Sequence, residues 1–154
     1  MRSRQSLELH FTSDPSELPR VRDALTDWAQ VFQWTKERVA DIVLAVDEAL
    51  TNVIRHGYEG RPGQPIVLRC VPVQDAQRGR GAEIEIRDWG RQVPLQQICG
   101  RDLDDLRPGG LGVHLIRNLM DCAEYSHAEG GGMRLRMRIF HDAPRRGSER
   151  GGAT

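Results

Sequence analysis

Asp41–Gly57, DIVLAVDEALTNVIRHG, is the stretch from which the rest of the chain can be read. Its apolar residues Ile42, Val43, Val46, Ala49, Leu50, Val53 and Ile54 recur at helical spacing and predict one wide buried face. Glu48 and Asn52 stand one helical turn apart, so their side chains leave the helix along one strip. His56 extends that strip by a further turn. A carboxylate can accept a proton, and a carboxamide oxygen is a neutral hard ligand of the kind Mg²⁺ takes. A solvated polar strip explains the same residues on this helix alone, so the decision rests on what lies downstream.

Composition narrows the classes. A chain of 154 residues suits one domain with a real core. Lys plus Arg and Asp plus Glu number 22 each, so there is no basic excess of the kind that nucleic-acid or membrane-surface binders carry. Cys70, Cys99 and Cys122 are odd in number and widely spaced, which suits reduced thiols better than a disulfide or metal framework. With no signal peptide and no long apolar run, the expectation is a soluble cytoplasmic protein without direct nucleic-acid or membrane partners.

In chain order, Leu7–Phe11 alternates as a first strand, and Thr12–Leu18 reads as a turn. A helix starts at Pro19, with Val21, Ala24, Leu25, Trp28 and Phe32 on its apolar face. Thr35 is the N-cap expected for the central helix, and Gly57 its left-handed stop. Ile66–Val73 and Ala82–Arg87 predict two strands joined by a polar turn. In the second, Ala82, Ile84 and Ile86 share one face, and by the same parity Asp88 follows them inward. An acid aimed at the core is costly without a donor. Either Asp88 opens a turn, or it receives a donor from a buried ligand such as the amine of adenine. Gly90 permits close approach of another group.

Arg91–Pro108 is a long polar connection with helical turns expected at Pro94–Ile98 and Asp102–Leu106, of a length typical of lids. It leads into Gly109–Gly112 and a helix over Val113–Met120, whose opening amides offer an anion site, although by themselves such glycines serve equally as a simple turn. Glu124–Ala128 and Met133–Phe140 predict a hairpin. Arg134, Arg136 and Arg138 alternate with its apolar residues, and an outward face balanced by acidic strands accounts for them better than phosphate binding. Residues 1–141 form the expected domain, and 142–154 a Pro-, Gly- and Arg-rich tail expected to be disordered.

Together these stretches resemble a known family. DEALTNVIRHGYEG is similar to the N box of the GHKL ATPases, the group that includes DNA gyrase, MutL and sensor histidine kinases. RDWGRQV resembles the G1 box and GGLGVHLIRNLMD the G2 box. The order from Leu7 to Phe140 resembles the small anti-sigma-factor serine kinases of the RsbW and SpoIIAB type. The resemblance implies an α+β fold, the two-layer Bergerat sandwich, with helices packed on one face of a mixed, largely antiparallel sheet. It implies ATP and Mg²⁺, with Glu48 as catalytic base and Asn52 as metal ligand. Asp88 would accept the adenine amine beside Gly90, and Gly110, Leu111 and Gly112 would contact phosphate, with His56 also in the nucleotide set. Arg20 falls where such kinases carry a partner-contacting arginine. Two positions depart from the pattern: Gln92 replaces a usual second glycine, which stiffens the loop, and Met133 replaces a usual threonine, which removes a hydroxyl.

The activity implied is transfer of the γ-phosphoryl group of ATP to a serine of a STAS-domain anti-anti-sigma protein, with sequestration of a sigma factor or other regulator, by a homodimer. An ATP-gated binding switch with little or no kinase activity is the alternative; Glu48 and Asn52 together discriminate, because a pure binder needs no base. A structural adaptor would leave inward Asp88 and both glycine turns as coincidences.

Overall fold

The computed structural model describes residues 6–95 and 111–141, with backbone alone considered at 111–114. The chain runs β1 (Leu7–Thr12), a short 3-10 turn (Pro15–Glu17), α1 (Leu18–Val31) and α2 (Lys36–Asn52). It continues through a π-helical turn (Val53–Gly57) to β2 (Pro65–Asp75), β3 (Gly79–Asp88), α3 (Leu111–Leu119), β4 (Cys122–His127) and β5 (Met133–Phe140). The proline expected at the start of α1 lies in its first turn. Thr35 caps α2 as expected, its side chain accepting from the Arg38 amide. The helical turns expected at Pro94–Ile98 and Asp102–Leu106 fall wholly or mainly outside the described residues, as does the tail from Asp142.

The strands form one five-stranded sheet in the order β1-β2-β3-β5-β4. All four described pairings are antiparallel, so the sheet is not mixed within the described residues. β3 and β4 run in the same direction with β5 between them, and α3 makes the connection. The hairpin turn between β4 and β5 therefore returns to the end of β3 where Asp88 lies.

The core lies between the helices and one sheet face. From α2 it takes Ile42, Ala45, Val46, Ala49 and Leu50, and from β3 Ala82, Ile84 and Ile86, all at most 2% exposed. Each large aliphatic side chain so buried contributes about 1.5–3 kcal/mol. The other sheet face carries the expected ladder: Arg134 meets Glu85 at 3.3 Å, Arg136 meets Glu83 and Glu85, and Arg138 meets Glu83 at 3.2 Å. These arginines are spent on cross-strand acids, on the face away from the helices.

Gly57 does not act as the left-handed stop. The helix instead widens, with the Tyr58 amide bonding Val53 O at 2.8 Å and the Gly60 amide bonding Ile54 O at 2.8 Å. Positive φ falls at Glu59 (53°) and Gly60 (78°). A π-helical turn also displaces His56 from the place an α-helical continuation would give it above Asn52. His56 is exposed.

Candidate functional site

The end of α2 carries two half-buried polar groups in line. No described residue hydrogen-bonds or ion-pairs with the Glu48 carboxylate. One turn on, the buried Nδ2 of Asn52 has no partner among the described residues. An orphaned buried amide atom costs about 1–3 kcal/mol, so a fold that keeps one calls for a ligand there. Turning the carboxamide by 180° exchanges Nδ2 and Oδ1, so the position can offer an acceptor as readily as a donor.

The second part of the site lies where β3 ends. Asp88 is 2% exposed, on the helix-facing side that its parity predicts. Its Oδ1 accepts the Gly90 amide at 2.9 Å and the Met133 amide at 3.3 Å. Oδ2 has no donor among the described residues. Burial pushes the carboxyl pKa up, and the two amides oppose that shift without cancelling it. The result is a buried acceptor held in one orientation with one oxygen to spare. An acceptor of that kind suits an amine on a planar heterocycle.

Backbone contacts join the two parts. A Cβ on Gly90 would stand 2.5 Å from Gly57 O, and the Arg91 amide bonds that same oxygen at 2.8 Å. The close approach expected at Gly90 is therefore to the end of the central helix. A Cβ on Gly57 would lie 3.8 Å from Asp88 Oδ1, so this glycine faces the carboxylate. Gly132, with φ of 77°, rests on the Asp88 carbonyl oxygen so closely that a Cβ would overlap it.

Tyr58 holds the arrangement from beneath. Its hydroxyl donates to Pro65 O at 2.6 Å and accepts from the Trp89 amide at 2.7 Å, tying the helix end to both strands. Nothing in the periodicity singled it out. Its burial, which obliges the hydroxyl to find partners, emerges only in the packed chain. Gln92 donates from Nε2 to Ala128 O at 3.3 Å and Gly132 O at 3.2 Å, which ties the loop to the hairpin and agrees with a stiffer loop. Met133 contributes its backbone amide to Asp88, a function that no side-chain reading finds.

The remaining site residues are placed only in part. α3 runs Leu111–Leu119, so it starts two residues before the expected Val113 and takes Leu111 and Gly112 into its first turn; it packs against α2. Gly110 lies outside the described residues. Amides at the start of such a helix suit phosphate. Among the described residues no group of three or more His, Cys, Asp or Glu could hold a metal. Asn52 by itself fits Mg²⁺, which keeps water and phosphate oxygens and takes few protein ligands. No described helix is long and apolar enough to cross a membrane.

Comparison with known proteins identifies the family and the fold. The model of the histidine kinase-like ATPase domain matches residues 11–139. The serine-protein kinase RsbW of Bacillus pumilus is 26% identical, the alignment covering 88% of this chain and 90% of that protein. The anti-sigma F factor of Clostridium acetobutylicum is 28% identical, with 86% and 91% covered. Among solved structures, the RsbU and RsbW domains of a Mycobacterium tuberculosis protein match with a TM-score of 0.59 at 18% identity. That match covers 88% of this chain and 31% of the longer one, and is a likeness of fold alone.

Proposed function

The chain belongs to the histidine kinase-like ATPase domain family, and from that premise we propose that it is an ATP-dependent protein serine kinase of the anti-sigma type. Relatives named serine-protein kinase and anti-sigma F factor, aligned over most of the chain, support the reading. The proposal extends to Mg²⁺, to a STAS-domain anti-anti-sigma protein as phosphoacceptor, and to a sigma factor as sequestered partner. A homodimeric state and a cytoplasmic location belong to it as well. Arg20, exposed and paired only with Glu17 among the described residues, is available for partner contact.

Each residue has a task set by its surroundings. Asp88 Oδ2 accepts the adenine amine, with Gly90 beside it packed on the backbone of Gly57. Asn52 supplies an oxygen to Mg²⁺, and the amides of Gly110, Leu111 and Gly112 take phosphate oxygens. His56, on the exposed side of the π-helical turn, belongs to the rim of the nucleotide site. Mg²⁺, when bound, neutralises charge on the phosphates. Glu48 takes the proton from the acceptor serine as its oxygen bonds the γ-phosphorus and the bond to the bridging oxygen breaks, leaving ADP.

The observation that carries this reading is on α2: a carboxylate with no partner among the described residues, one turn from a carboxamide whose buried end has none there either. A nucleotide-gated binder has no use for the first of these. The test is incubation of the purified protein with a STAS-domain protein and Mg-ATP, reading serine phosphorylation by mass spectrometry. Phosphorylation supports the kinase. Binding of ATP and of the partner without any phosphotransfer would leave the binding switch as the function.

A further inference from the structure

On the outer sheet face Arg134, Arg136 and Arg138 each pair with a carboxylate. Arg87 shares that face and has no acidic partner among the described residues. Its cross-strand neighbour is Arg134, a like charge. Its guanidinium instead takes main-chain carbonyls. Nη1 donates to Gly131 O at 2.7 Å and to Asp88 O, and Nη2 donates to Glu129 O at 3.0 Å. The same group lies 4.3 Å from the centre of the Trp89 ring, which fixes its plane.

The segment so held has little stiffness of its own. Gly130, Gly131 and Gly132 have φ of 87°, 108° and 77°, three successive glycines in a conformation other residues resist. Such a run loses more entropy on ordering than any other sequence of its length. Yet the next amide, that of Met133, is one of the two that orient Asp88 Oδ1. Gln92 bonds Ala128 O and Gly132 O, at the two ends of the same turn.

We propose that Arg87, with Gln92, is a positioning clamp for adenine recognition: it orders the Glu129–Gly132 turn so that the Met133 amide holds Asp88 with Oδ2 directed at the base. Neither residue touches the nucleotide. A planar fork is needed because two carbonyls of the turn and one of β3 must be bonded at once, which a lysine ammonium at the same place does not reproduce. The inference rests on the reading of Asp88 as the adenine acceptor.

The experiment compares ATP with inosine triphosphate, which carries a carbonyl where adenine has its amine. Affinities are measured by calorimetry for wild type, Arg87→Lys, Gln92→Ala, Asp88→Asn and the outer-face control Arg136→Ala, with thermal melting alongside. Wild type should prefer ATP, and Asp88→Asn should abolish or reverse that preference, because its NH₂ opposes the adenine amine and suits the inosine carbonyl. Arg87→Lys should lose roughly tenfold of the wild-type preference, the scale of one hydrogen bond to a charged group, with inosine triphosphate affinity unchanged. Gln92→Ala should move the same way and carries the test if Arg87→Lys does not fold. Arg136→Ala should keep the full preference. Equal loss for both nucleotides, or an undiminished preference in Arg87→Lys and Gln92→Ala, would overturn the clamp while leaving Asp88 in place. No preference in wild type would overturn the Asp88 reading and the clamp with it.

Discussion

Asp88→Asn separates recognition of the base from folding, because the structure dictates which way the new amide must turn. Oδ1 already receives two backbone amides, from Gly90 and Met133. An asparagine must keep its oxygen there, since the opposite rotamer would set a donor against two donors. Its NH₂ then replaces Oδ2 and faces the adenine amine, again donor against donor. Loss of a charge-assisted hydrogen bond with an unpaired donor left behind costs about 2–4 kcal/mol. At about 1.4 kcal/mol per tenfold, the dissociation constant for ATP should rise roughly thirtyfold to nearly a thousandfold.

Stability should move differently. Burial raises the folded pKa of Asp88 above its ordinary value, so the folded chain holds this proton more tightly than the unfolded chain. As pH rises from the ordinary value through the folded one, ionisation in place costs stability, and that cost persists at neutral pH. Asparagine carries no such cost. The variant without nucleotide should melt at neutral pH no lower than wild type, and the difference should shrink as pH falls below the ordinary carboxylate range. Wild-type ATP affinity should fall as pH drops through the raised pKa. Calorimetric titration with ATP and thermal melting across pH check both halves. Unchanged ATP affinity would remove Asp88 from the site, and affinity lost together with a lowered melting temperature would make it structural.

Asn52→Ala removes one metal oxygen and one orphaned amide, so ATP affinity should fall in Mg²⁺ much more than in EDTA, with melting unchanged or raised; equal losses in both buffers would end the ligand assignment. Glu48→Gln keeps shape but cannot take a proton, so ATP and partner binding should stay near normal while phosphotransfer slows by about 10²–10⁴-fold in a single-turnover assay. Tyr58→Phe deletes a hydroxyl that serves Pro65 O and the Trp89 amide, so about 1–3 kcal/mol of stability should be lost in denaturant unfolding. A smaller loss in Tyr58→Phe would mean that water replaces the hydroxyl.

Local chemistry made much of this protein legible in its sequence. The 3.6-residue period of Ile42, Val46, Ala49 and Leu50 identifies the buried face of α2, because a helix has only one way to gather such residues. The two-residue period of Ala82, Ile84 and Ile86 carries Asp88 inward with them, because strand side chains strictly alternate. Thr35 is a readable cap because its hydroxyl acts three residues away. The outward arginines were legible for the same reason as the strands they stand on.

What the sequence could not decide are contacts between positions distant in the chain. The Met133 amide reaches Asp88 across 45 residues, and the Arg87 guanidinium reaches Gly131 across 44. Neither pattern nor propensity records such pairs, since they depend on where β5 enters the sheet. Gly57 illustrates the limit: its place at the end of a helical pattern reads as a left-handed stop. The observed reversal falls at Glu59 and Gly60, and Gly57 instead turns its bare Cα toward the Asp88 carboxylate. Side-chain type and spacing determine which groups exist and which face they take. Only the packed chain decides which backbone amides and carbonyls meet them, because every residue carries the same amide and only position tells them apart.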